Sequence, residues 1–169
     1  MEPLEPWEVW VRSTELHAFV RQYEPWLWPL MQTLHLFGFT LLFGTVGFFD
    51  LRALGIAKGI PLQAIHRLVP WGVAGYIGNI LLGVVFFSGH PEQYYYNNAF
   101  RLKLLFMAVA GINILAFYGT TAFAELKTLP ASASAPLRIK IIAATSLFAW
   151  VAVLVCGRMI TFNRPPFFH

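Results

Sequence analysis

Apolar residues run without an Asp, Glu, Lys or Arg through Trp26 to Phe49, Leu68 to Ser88, Leu104 to Ala124 and Ile141 to Gly157. About 20 helical residues at 1.5 Å rise cross a hydrocarbon core of about 30 Å, so each stretch predicts a membrane-spanning helix. The last one reaches that length by borrowing flanking residues such as Ile160 and Phe162. Spans over about 26–49, 68–88, 104–124 and 139–162 use up the 169 residues as one membrane domain. Short connections between them favour antiparallel neighbours, and the expected fold is all-α: an up-down four-helix bundle.

Residues 1–25 read differently. Trp7, Trp10, Val11, Leu16, Phe19, Val20 and Tyr23 interleave with Glu8, Arg12, Glu15 and Arg21, a helical pattern suited to the headgroup region. The acids among them (Glu2, Glu5, Glu8, Glu15, Glu24) are out of keeping with a cleavable signal, which needs a basic start and an uninterrupted apolar run. Pro25 and Pro29 are expected to turn the chain into the membrane, with Trp26 and Trp28 in the interfacial aromatic belt.

Composition fits immersion in lipid: 57% hydrophobic, 17% aromatic and only 12% charged, where soluble domains carry about a quarter. We call side A the face with both termini and the 89–103 connection, and side B the face with the 50–67 and 125–140 connections. Each side has six Lys or Arg, but on side B all of them (Arg52, Lys58, Arg67, Lys127, Arg138, Lys140) lie in compact loops next to a span. The positive-inside rule then puts side B in the cytoplasm and both termini in the periplasm of a bacterial inner membrane. The net charge of +4 reflects those loops; no basic stripe marks a nucleic-acid surface. The single cysteine, Cys156, cannot form an intramolecular disulfide, and no CxxCH is present for covalent haem attachment.

Ionisable residues within membrane spans are functional candidates by default. His35 lies about 13 Å into the first span from Trp26 at helical rise. His66 stands at the side B start of the second, where Pro70 cannot donate to its carbonyl and loosens the helix. Antiparallel register sets His66 level with Val46, so the two histidines differ in depth by roughly 16 Å and cannot share a metal. Two imidazoles at opposite depths of an apolar four-helix bundle suit one or two b-type haems, each iron taking an axial nitrogen. At the His35 level the third span offers Met107, and at the His66 level Tyr118, both of types known as axial ligands. Arg158, Arg101 and Lys103 stand towards side A, and Arg52, Arg67 and Lys140 towards side B, to pair with propionates. The competing reading gives His35 a hydrogen bond to Asn79 or Asn113, makes Met107 core filling and makes Tyr118 a boundary anchor.

A weaker constellation lies on side A, where His17, His90 and His169 share one aqueous layer and three imidazoles suit copper or zinc, although no spacing pre-orients any two of them. Asp50 and Arg52 end a span, which reads as snorkelling with a local ion pair. Asn113 is expected to bond across to another helix. Gly75, Asn79 and Gly83 form a stripe of small residues where a helix can approach closely, and with the abundant aromatic lateral surface they predict a homo-oligomer or a membrane-complex partner.

The motifs LHLFGFTLLFGTVGFFDLRALG, HRLVPWGVAGYIGNILLGVVFF, NNAFRLKLLFMAVAGINILAFY and CGRMITF together resemble an uncharacterised family of small bacterial four-helix integral membrane proteins, over nearly the whole chain. The resemblance implies a histidine at the end of the third motif, where this chain has Tyr118. In plan the chain is also similar to small diheme cytochromes that pass electrons to or from quinone. The expectation is a haem protein carrying electrons, a membrane oxidoreductase or its electron-transfer component. Against it stand a cofactor-free structural or anchoring subunit of a larger complex, and a metal or small-solute permeation protein.

Overall fold

The computed structural model describes residues 5–130 and 133–162. Among the described residues every regular element is helical. Short α1 (Pro6–Arg12) precedes α2 (Glu15–Leu42), a π-helical segment (Phe43–Gly47) and α3 (Phe48–Leu54). α4 (Leu62–His66) leads into α5 (Val69–Gly89), and α6 (Pro91–Tyr95) into α7 (Asn98–Gly119). α8 (Thr121–Thr128) and α9 (Leu137–Met159) complete the order. Four of these helical stretches are long and apolar enough to cross a membrane, as a multi-pass protein requires.

The turn expected at Pro25 and Pro29 is absent, because both lie inside the continuous α2. The chain bends earlier, at Ser13 and Thr14, where the Thr14 hydroxyl accepts from the His17 N–H at 3.2 Å and caps α2. A proline removes one helical donor, whereas unwinding in lipid would strand several backbone groups, so the helix persists. The amphipathic start is also less solvated than its pattern implies. Glu8 is buried, its carboxylate accepting from the Glu5 N–H, and the Trp7 ring packs tilted against Tyr95 with centroids 4.3 Å apart, docking α1 on α6. Burial in that aromatic layer pushes the Tyr94 phenol up to about 12.

The third span ends earlier than its hydropathy suggests. Thr120 is extended, and its hydroxyl accepts from the Ala122 N–H to open α8 as a separate helix. On side B, Gly55 adopts a left-handed conformation (φ 112°) that closes α3, a geometry glycine takes without strain.

The bundle is built as two pairs. α2 packs along α5 and α7 along α9, and α3 joins the first pair to α9. Contact within the first pair rests on glycine: a Cβ on Gly75 would collide with the Gly38 carbonyl, and one on Gly38 would collide with the Asn79 amide. Oriented to satisfy both of its ends, that amide donates to the His35 carbonyl and accepts from the Phe39 N–H, each at 3.0 Å. Asn79 thus bridges two backbone groups that a regular helix would pair with each other. Gly83, the third member of the predicted stripe, faces open space.

Gly72 of α5 packs against Thr45 and Val46 of the π-helical segment, where the Thr45 hydroxyl donates back to the Leu41 carbonyl at 2.8 Å. A π turn holds one residue more than an α turn, so everything after it is rotated by about 100° relative to an unbroken α-helix.

Candidate functional site

Between the two helix pairs lie two cavities, stacked along the bundle. The side A cavity has a volume of about 450 Å³ and the side B cavity about 430 Å³. Leu42, Tyr76 and Trp150 line both and form the wall between them, with the Tyr76 ring edge-on to Trp150 at 5.3 Å. His35 lines the first cavity and His66 the second.

In the side A cavity, α2 presents His35 and α7 presents Lys103 and, one turn later, Met107. Because α9 runs antiparallel to α7, Arg158 in its last turn arrives at the same end. Lys103 extends across α9, its Nζ 3.9 Å from where a Cβ on Gly157 would be. The His35 ring meets Phe86 edge-on at 5.8 Å. Among the described residues no side chain hydrogen-bonds it: Asn79, expected as its partner, binds the His35 backbone instead, and Asn113 donates to the Ile142 carbonyl of α9 at 3.0 Å. Arg101, named with these cations, is occupied by the Tyr95 carbonyl and ring.

The side B cavity is chemically different. His66 Nε2 and the Tyr118 hydroxyl hydrogen-bond at 3.0 Å, inside a cage of Phe49, Phe117 and Phe123 rings. Metal bonds to nitrogen or oxygen are about 2 Å long, so an ion held linearly between the two would need roughly 4 Å. The basic residues expected at this level do not line it. Arg67 is exposed, and Arg52 is neither snorkelling nor at the cavity: it is 1% exposed, donating to the Ile60 carbonyl at 2.6 Å and the Lys58 carbonyl at 3.2 Å. It fastens the loop between α3 and α4, replacing by backbone carbonyls the water that a snorkelling guanidinium would seek.

Asp50 is the residue whose role the sequence reading missed. It lines the side B cavity at 3% exposure, with Ser146 beside it and, among the described residues, no hydrogen-bond partner for its Oδ2. Its position at the edge of a charge-free stretch resembles a helix end, and the π-helical turn that rotates it inward has no pattern of its own in the hydropathy. The available signal was an acid flanked by Phe48, Phe49 and Leu51.

The side A histidines have separate partners. His17 Nδ1 bonds the Ser88 carbonyl at 2.7 Å, and His90 Nε2 lies 2.8 Å from Glu24, itself paired with Arg21 at 2.6 Å. His169 lies outside the described residues. Among the described residues no three His, Cys, Asp or Glu side chains converge as a metal site.

These features define a helical membrane bundle with two internal cavities of opposite character. The chain belongs to DUF6644, a family of unknown function that matches residues 9–163. No curated protein and no solved structure matches it significantly.

Proposed function

We propose that this is a bacterial inner-membrane electron carrier that holds one b-type haem in the side A cavity, with both termini periplasmic and quinone as its exchange partner. The observation that carries the reading is an imidazole, His35, that no side chain among the described residues hydrogen-bonds, lining one cavity with Met107, Lys103 and Arg158. The donor set fits the group. A neutral imidazole and a thioether are an axial pair used in cytochromes, two cations suit two propionates, and about 450 Å³ lies within the range of cofactor pockets. His35 and Met107 would hold the iron, and Lys103 and Arg158 would neutralise the carboxylates. Bound haem supplies one-electron redox chemistry. The wall of Leu42, Tyr76 and Trp150 keeps the cavity from opening into its neighbour. One haem is favoured over two because His66 and Tyr118 already satisfy each other.

The test is the reduced-minus-oxidised visible spectrum of the purified protein and of His35→Leu. A Soret band present in the first and lost in the second, with membrane insertion intact, supports the reading. A colourless wild type, or a variant with full haem content, overturns it. A reporter fused after His169 that is active only in the cytoplasm would overturn the orientation.

A further inference from the structure

We infer that the side B cavity binds the aromatic head of a lipid-soluble quinol or quinone, with Asp50 as its hydrogen-bonding partner. This deepens the reading above and takes from it the choice of a redox ligand; the site itself stands on separate observations. Asp50 lines the cavity beside Ser146, and among the described residues its buried Oδ2 has no hydrogen-bond partner. An unsatisfied buried acceptor is costly, and a ligand that satisfies it gains correspondingly.

The surroundings define what that ligand is. Asp50 shares the cavity with Phe49, Tyr76, Phe117 and Trp150, aromatic walls suited to a flat ring. Ile77 of α5 and Leu115 of α7 also line it and are 53% and 72% exposed, so its mouth opens sideways between the two pairs towards lipid. A ligand arriving there is lipid-soluble, and its tail can remain in the bilayer. A carboxyl is suited to both redox forms of such a head: ionised, it accepts from a quinol hydroxyl, and protonated, it donates to a quinone carbonyl. The His66–Tyr118 pair in the same cavity provides a second polar point for the opposite end of the ring.

The test titrates the full-length protein in detergent with decylubiquinone, oxidised and reduced, by calorimetry against empty micelles, alongside Asp50→Leu and Gly111→Leu. Gly111 lines the cavity, and a Cβ there meets nothing within 4 Å, so leucine fills the ligand's space without disturbing helix packing. Wild type should show saturable single-site binding, and each variant a Kd higher by about tenfold or more, as loss of one charge-assisted hydrogen bond or of the ligand's volume would give. Haem content, measured on the same samples, should not change. Binding no greater than micelle partition, equal binding of farnesol, or wild-type affinity in Gly111→Leu overturns the inference, the last even if Asp50→Leu does not fold. A colourless protein that binds decylubiquinol with the expected variant effects removes the haem and leaves this site standing. A red protein that does not bind removes this site and leaves the haem.

Discussion

The two cavities are alike in volume, share a wall and hold one histidine each, yet their polar groups are arranged in opposite senses. On side A no side chain among the described residues hydrogen-bonds the histidine, and the charged residues lining its cavity are cations. On side B the histidine is bonded to Tyr118, and the group left wanting is the Asp50 carboxyl. A histidine inside a membrane span is thus not one kind of evidence. What it signifies depends on whether the neighbouring helices have already satisfied it, and the acid that matters on side B belongs to a different helix from its histidine.

Substitution of the two histidines is the most severe way to break this comparison. His35→Leu should abolish the haem absorbance, whereas His66→Leu should leave the haem-to-protein ratio of the purified protein unchanged. A halving of haem in His66→Leu would make the cavities equivalent after all. Next in size is the close crossing of α2 and α5, whose Asn79 lines only the side A cavity. Gly75→Ala should destabilise the protein by about 1–3 kcal/mol through overpacking against Gly38, and Gly83→Ala, in open space, by about zero. Equilibrium unfolding in mixed micelles measures both, and equal values would mean that the crossing is not held by close approach.

Two smaller changes sharpen the contrast. Tyr118→Phe removes the partner of His66 and should cost about 1 kcal/mol with an unaltered visible spectrum. A shifted spectrum would instead give Tyr118 a role at iron. Asn113→Leu, which deletes the tie from α7 to the Ile142 carbonyl, should cost on the order of 0.6 kcal/mol in the same assay. A loss several times larger would identify Asn113 as the main clamp of the second pair.

Depth was legible in the sequence and rotation was not. Counting residues at a fixed rise placed His35 with Met107 and His66 with Tyr118, because height along a helix depends only on residue number. The charge-free runs marked the spans for the same reason. The continuity of α2 through Pro25 and Pro29 was not legible, since it depends on lipid offering no other partner for the backbone. Arg52 was misread as snorkelling because the loop that wraps back over it is distant in pattern though close in space. The competing reading gives His35 a hydrogen bond to Asn79 or Asn113, but Asn79 binds backbone and Asn113 the Ile142 carbonyl, a difference of helix face that spacing alone does not resolve.

The π-helical turn at Phe43–Gly47 makes chain length in this protein an angular setting. One residue more or less there changes the height of α3 by only about 1.5 Å but its heading by about 100°. Deleting Gly44, whose missing side chain would touch nothing, would preserve the hydropathy of the span and still steer Asp50 away from the ring it is proposed to hold. Chains of this family that differ in length across that turn are therefore to be compared by helix face rather than by position number, with gain or loss of the proposed quinone site following the phase of the helix.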